Sequence, residues 1–337
     1  MLIGWLLIKM LAWISLTALA MMLSLIASEL FHRALIPRLV SGGHVSEDVH
    51  KPNRPKVPEP AGPAVYLSFA VSMMIISQLA GSSVLEGVVA STGLAFLIGL
   101  VDDLSPLGPK TKPLLLILPA LLLAVSGGIV PRPYLPILGR ARLYYTYWVV
   151  LATMFTVFSN GVNMMDALNG MMPSSVFAST LPLLPVLIAL GSYTSLLSLV
   201  ALYGSLIPYY VRNRYPAEVF GGDSNSLFVG AALASIAAMS NTEAFFAISL
   251  LPFMVSGFSI LASIGGLLER RDIRTRPVTV EGGIIRANPN REAPISLIAI
   301  LTSSEGKTES RIVKEVVIIS LISGVLSCAT FFLLTPR

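Results

Sequence analysis

Uninterrupted apolar runs of about 20 residues recur along this chain, each closed by charge, glycine or proline, and that is the length that crosses the hydrocarbon core of a bilayer as a helix. A helix satisfies its own backbone hydrogen bonds in lipid. Of 337 residues 54% are hydrophobic and only 12% charged, about half the charged share of soluble domains. The mean hydropathy is +0.78. A soluble protein would have to hide every one of these runs in its core.

The runs lie near residues 5–30, 61–81, 84–101, 112–130, 144–160, 175–190, 194–211, 226–240, 243–266 and 312–334. The expected fold is therefore all-α: a polytopic membrane protein of about ten transmembrane helices, forming one integral membrane domain over 1–337. The first run is long and lacks a small-residue cleavage site near its end, so no cleavable signal is expected. The chain shows no internal repeat and no low-complexity tract.

Basic residues set the expected orientation. About eighteen of the 23 Lys and Arg fall in the loops after the odd-numbered runs, including Lys51, Arg54, Lys56, Lys110, Lys112, Arg212 and Arg214. Arg132, Arg140, Arg142 and Arg337 lie on the other side. The positive-inside rule places the first set in the cytosol and both termini outside. The cytosolic loops then lie near 31–60, 102–111, 161–174, 212–225 and 267–311. The net charge of +5 is accounted for by loops facing an anionic leaflet, and no nucleic-acid partner is expected. The single Cys328 excludes a disulfide framework. His32, His44 and His50 crowd one early loop and read as solvated histidines. Glu86 and Glu243 fall on the outer face as ordinary interface charges.

The remaining polar residues gather at the cytosolic ends of the runs, where acids are costly to keep. Asp102-Asp103 closes the third run. Two adjacent carboxylates can divide the binding of a divalent ion and the handling of a proton, and on a helix they point about 100° apart. Alone, the pair reads equally as a water-facing cap. Lys112 begins the next run and could reach a phosphate, although a lone flanking lysine ordinarily snorkels. Asn160, Asn163 and Asp166 stand at i, i+3 and i+6, sharing one broad helical face. Amides beside an acid suit a Mg²⁺ site open to substrate oxygens, while interhelical hydrogen bonding is their alternative use. Phe220-Gly221-Gly222-Asp223-Ser224 opens the eighth run. Its glycines permit close backbone approach, and the helix start offers free N–H groups to an anion; Asp223 by itself would serve as an N-cap. Lys51 to Pro60 is a stiff, basic, proline-rich segment.

In this order the motifs resemble the polyprenyl-phosphate N-acetylhexosamine-1-phosphate transferases, glycosyltransferase 4-type enzymes of ten helices that include phospho-N-acetylmuramoyl-pentapeptide transferase. The matching pieces are Lys56-Val57-Pro58-Glu59 with Gly62, Asp102-Asp103 with Lys112, Asn160-x-x-Asn163-x-x-Asp166 with Asn169-Gly170, and Phe220-Gly221-Gly222-Asp223-Ser224. Lys-x-Pro-Glu is similar to the archaeal and eukaryotic branch, which uses UDP-N-acetylglucosamine and dolichyl phosphate.

The resemblance implies transfer of N-acetylglucosamine-1-phosphate from UDP to a polyprenyl phosphate, with UMP released. It implies Mg²⁺, or Mn²⁺, as cofactor. Asp102, Asp103 and Lys112 take catalytic roles, and Asn163 and Asp223 hold the metal. Phe220, Gly222, Asn160, Asp166, Lys56, Glu59, Arg276 and Arg286 contact substrate, Phe220 stacking on uracil. The expected partners are the UDP-N-acetylhexosamine, the lipid phosphate and membrane lipid, with a homodimer admitted. One departure stands out: members often carry a His- or Arg-rich motif in the last cytosolic loop, and Leu267–Arg311 holds no histidine. Arg274, Arg276, Arg286 and Arg291 are its available cations.

Three other readings compete. A related transferase would use another UDP-N-acetylhexosamine or UDP-N-acetylmuramoyl-pentapeptide. A secondary transporter would keep its acids near the midplane on paired repeats. A CDP-alcohol phosphatidyltransferase would carry an extended Asp-Gly-x-x-Ala-Arg signature, which is absent.

Overall fold

A computed structural model describes residues 2–51, 53–266 and 275–335, with side chains from residue 11 onward. It is mostly helical. Helix α1 (Leu2–Ser41) is followed by a hairpin of β1 (Val45–Glu47) and β2 (Lys56–Pro58), then α2 (Gly62–Ala80) and α3 (Ser83–Leu104). The short α4 (Thr111–Leu115) and α5 (Ile117–Val125) lead to a second hairpin, β3 (Tyr134–Leu135) with β4 (Gly139–Arg140). Next come α6 (Tyr147–Met165), α7 (Met171–Thr180), a 3₁₀ turn (Leu181–Leu183), α8 (Leu184–Ala189) and α9 (Tyr193–Asn213). The chain continues through α10 (Gly222–Ser240), α11 (Glu243–Ser249) and α12 (Leu251–Ser263). A three-stranded sheet of β5 (Val278–Glu281), β6 (Ile284–Ala287) and β7 (Lys307–Thr308) encloses α13 (Leu297–Leu301) and precedes α14 (Glu309–Leu334).

Seven helical stretches among the described residues are long and apolar enough to cross a membrane, and eight if α11 and α12, bent by 71° at Leu250, count as one. The expectation of about ten spans is thus met in part. Residues 111–125 form an apolar stretch too short for the criterion. Helix α10 falls outside the set as well. Its first turn is Gly-Asp-Ser-Asn, and nearly all its remaining residues are small or apolar and buried. It packs against α3, α6, α9 and α2, so protein rather than lipid surrounds it, and its polar start needs no lipid compatibility. The peripheral helices show the opposite pattern. Leu97, Val101 and Leu104 on α3, and Ile318, Leu321, Ile322 and Val325 on α14, are exposed. Apolar bands of this kind belong in lipid.

Helix direction alternates, so the ends of α1, α3, α6, α9 and α12 share one face with the starts of α2, α4, α7, α10 and α14. Backbone hydrogen bonds tie this face together: Ala61 N to Phe220 O at 2.9 Å, Gly62 N to Gly221 O at 3.0 Å and Phe220 N to Pro58 O at 2.9 Å. On the opposite face Tyr134 N donates to Asn241 O at 2.8 Å and Ile137 N to Leu334 O at 2.8 Å.

Two readings from sequence are corrected. Helix α1 runs to Ser41, so His32 is a buried helix residue rather than part of a loop. Glu243 is buried at the start of α11 and accepts a hydrogen bond from Tyr147 Oη at 2.5 Å; it is an internal contact between α11 and α6, not an interface charge.

Candidate active site

Helix α3 keeps its geometry through Leu104, which lifts Asp102 and Asp103 on its last turn out of the apolar layer. The two point apart and hold different partners. Asp102 Oδ1 accepts from Leu107 N at 2.5 Å, folding the loop back, and Oδ2 lies 2.6 Å from Lys112 Nζ. Asp103 turns the other way. Its Oδ1 accepts from Asp223 N at 2.6 Å and its Oδ2 from Ser224 N at 3.0 Å. A carboxylate from one helix therefore caps the first turn of another, 120 residues later in the chain. Both N–H groups would otherwise be orphaned at the start of α10, and negative charge there matches the helix dipole.

This cap needs backbones in close approach. Gly222 has φ +74°, and a Cβ there would lie 2.7 Å from Asp103 Oδ2 and from Pro60 Cβ. A Cβ on Gly99 would lie 2.5 Å from Asp223 O and 2.6 Å from Ser224 Cα. These glycines let α3 and α10 meet where the acids sit.

Lys112, at the start of α4, bridges Asp102 and Asp223 with an ion pair to each. Its side chain is 19% exposed, against 11% for Asp102 and 28% for Asp223, so the pairs are shielded but open on one side. Asn160 and Asn163 come from the last turns of α6. Asn160 Nδ2 is spent on Thr156 O at 2.8 Å, within its own helix. Asp166 follows the helix, its N donating to Asn163 O at 3.1 Å. Burial, with Glu59, Asp223 and Asp103 nearby, pushes the Asp166 carboxyl up to about 7.

These groups surround a cavity of about 1090 Å³. Its polar lining includes Glu59, Asp102, Asp103, Lys112, Asn160, Asn163 and Asp223. Its apolar lining includes Leu104, Leu107, Met164, Ile260, Leu261 and Ile264. The segment Gly43–Ser46 completes the rim.

The structure thus brings together most of the residues expected from the motifs and leaves others apart. Among the described residues the cavity wall does not include Phe220, Gly222, Asp166, Lys56, Arg276 or Arg286. Gly222 packs against Asp103 and Pro60 of the lining, and Asp166 feels the charges of Glu59, Asp223 and Asp103. Phe220 is half-buried, with its backbone clamped between Pro58 and Ala61. Lys56 is exposed on β2, and Arg276 and Arg286 are exposed at the β5–β6 hairpin. Arg274 lies outside the described residues.

Sequence reading missed a second buried network on this face. Lys51 pairs with Glu309 and, at 3.3 Å, with Asp48. Glu309 Oε1 accepts from Asn169 N at 2.7 Å, and Asn169 Nδ2 donates to Asp48 Oδ2 at 3.1 Å. The Lys51 ammonium also lies 4.3 Å from the Tyr215 ring centroid, a cation–π distance. The charged Lys51 and the motif residue Asn169 were visible as sequence; their partner Glu309, 258 residues from Lys51, gave no local signal.

The oxygen donors available to a metal are Asp102, Asp223 and Asn163, with Glu59 also lining the cavity. Among the described residues no three acidic, histidine or cysteine side chains converge as a metal cage. That fits a hard ion held by one or two carboxylates and completed by phosphate oxygens and water, as Mg²⁺ commonly is.

Residues 85–241 match the model of glycosyl transferase family 4. The resemblance carried by the motifs is borne out at that level. The family 4 region runs from α3 to the end of α10 and contains Asp102, Asp103, Lys112, Asn160, Asn163, Asp166, Phe220, Gly222 and Asp223. Known relatives agree with it. The chain is 25% identical over 219 residues to a protein of Saccharolobus solfataricus, covering 63% of this chain and 67% of that one. That relative is provisionally named a UDP-N-acetylglucosamine–dolichyl-phosphate N-acetylglucosaminephosphotransferase. It is 25% identical over 235 residues to a provisionally named glycosyltransferase of Methanocaldococcus jannaschii, covering 70% and 72%. It is 29% identical over 233 residues to the phospho-N-acetylmuramoyl-pentapeptide-transferase of Carboxydothermus hydrogenoformans, covering 61% and 69%.

Proposed function

We propose that this protein is an integral membrane phosphoglycosyl transferase. It moves N-acetylglucosamine-1-phosphate from UDP-N-acetylglucosamine to a polyprenyl phosphate of the dolichyl type, giving a lipid-linked diphosphate sugar and UMP. The observation that carries this reading is the mixed lining of one cavity: Lys112 held between Asp102 and Asp223, together with the apolar Leu104, Leu107, Ile260, Leu261 and Ile264. A phosphorylated lipid and a charged nucleotide sugar need such a mixed lining. The names of the archaeal relatives support the donor and acceptor.

An oxygen of the lipid phosphate attacks the phosphorus that bears the sugar. A new P–O bond forms, and the bond to the uridine-side phosphate breaks with its electron pair leaving on UMP. The lipid phosphate is largely deprotonated near neutral pH, so no strong base is required. Lys112 is preset by its two aspartates to meet the charge that develops on the transferred phosphoryl oxygens, and being preset it needs no reorganisation. Asp103 keeps Asp223 in place from behind. Asp223, Asn163 and Asp102 would hold Mg²⁺, which supplies neutralisation of diphosphate charge when bound. The apolar lining orients the lipid and keeps water from the reacting atoms.

We place this face in the cytosol, on the strength of the basic loops. The test is UMP release by purified protein given a polyprenyl phosphate, Mg²⁺ and UDP-N-acetylglucosamine. UMP formed with that donor and not without the lipid supports the reading. Release only with UDP-N-acetylmuramoyl-pentapeptide would move the assignment to the activity named for the bacterial relatives, and release with no UDP-sugar would overturn it.

A further inference from the structure

The cavity rim carries a histidine that none of the motifs includes. His44 follows the end of α1, and its main chain is fixed from two sides. His44 N donates to Leu39 O at 2.9 Å, closing the helix, and Glu59 N donates to His44 O at 3.1 Å. The second bond ties it to Glu59, another residue of the cavity wall. Its ring folds over Gly42, where a Cβ would lie 3.0 Å from His44 Cδ2 and 3.6 Å from Nε2. The imidazole is exposed and lines the cavity, and among the described residues its side chain has no hydrogen-bond partner.

The surroundings say what it is for. The basic group of the polar lining, Lys112, is already divided between two aspartates. Arg276 and Arg286 stand exposed away from the wall. Among the described residues His44 joins no metal-binding cluster. A backbone-anchored, unpartnered N–H donor at the mouth of an acid-lined cavity fits an anion arriving with its own negative charge. We propose that His44 is a substrate-contacting residue that donates a hydrogen bond to a phosphate oxygen of a bound substrate. This rests on the transferase reading. The phosphate belongs either to the nucleotide diphosphate or to the lipid, and experiment separates them.

The protein is labelled with ¹⁵N-histidine, purified as the full chain in detergent, and titrated separately with UDP-N-acetylglucosamine plus Mg²⁺ and with a short-chain polyprenyl phosphate. Three histidines give three pairs of ring nitrogen signals, and His44→Gln identifies the pair in question. One of the two ligands is expected to shift the His44 signal, and the other to leave it in place. Kinetics should agree: His44→Ala raises KM about ten- to hundredfold for that same substrate, as loss of a charge-assisted hydrogen bond does. KM for the other substrate should stay within about twofold, and His44→Arg should recover part of the loss. A His44 signal that neither ligand moves in protein that releases UMP overturns the proposal while leaving the transferase reading intact. Protein that releases no UMP but shifts the His44 signal with either ligand keeps the phosphate site and removes the transferase reading. Absence of both effects overturns both.

Discussion

Asp102 and Asp103 are neighbours in the chain and opposites in the site. Sequence marks the pair as candidates and expects the two to do different jobs, but it does not show their partners, because those of Asp103 are backbone N–H groups 120 residues away. The structure predicts two distinct failures. Asp103→Ala removes both caps from α10 and should cost about 1–3 kcal/mol of stability, read as a lower unfolding temperature, with activity lost because Asp223 moves. Asp102→Asn should unfold near the native temperature, yet lower kcat by at least about a hundredfold, since it loosens Lys112. Equal stability of both variants would contradict the division. Lys112→Met should leave two uncompensated carboxylates and abolish turnover, with Lys112→Arg recovering a fraction. Lys112, Asn163 and Asp223 were candidates in the sequence through the ordered set of motifs and the resemblance it carries, and all three line the cavity. His44 could not: a histidine in a basic loop looks solvated until the hairpin of β1 and β2 places it beside Glu59.

Among elements, α3 and α10 form the critical pair. Gly99 is the point where their backbones meet, so Gly99→Ala should separate them, destabilise the protein and lower activity more than its single methyl suggests. An unfolding temperature and kcat both near native would show that the helices can part without harm. The network of Lys51, Asp48, Asn169 and Glu309 ties α14 to the first loop and to the turn between α6 and α7. Side chains here are nearly enclosed, at 11% exposure for Lys51 and 5% for Glu309. Glu309→Ala leaves Lys51 with Asp48 alone as its acid and removes the acceptor of Asn169 N, and should cost about 1–3 kcal/mol, measurable in a thermal melt. Most helices were legible from the apolar runs. Helix α10 is an expected span that length and hydropathy alone do not pick out. Its buried small residues read as a membrane run, while its hydrophilic start is sheltered inside the bundle. The stretch of α4 and α5 is not picked out for the other reason, length.

At the scale of the molecule, alternating helix direction puts every candidate polar group at one end and the apolar lining of the cavity beside it. We propose that this end faces the cytosol, in which case a cysteine introduced at Ser105 should react with impermeant reagent only after the cells are opened. The central claim is that the sugar travels with its phosphate. A glycosyl transfer that left phosphate behind would release UDP, whereas the proposed role of Lys112 between Asp102 and Asp223 is to meet charge on a transferred phosphoryl group. The direct measurement uses UDP-N-acetylglucosamine carrying ³²P in its sugar-linked phosphate, with purified protein and a polyprenyl phosphate. The account predicts that the label moves into the lipid fraction in proportion to the UMP formed, and that Asp223→Ala prevents it. Label remaining with the nucleotide as UDP, while the sugar enters the lipid, would contradict it.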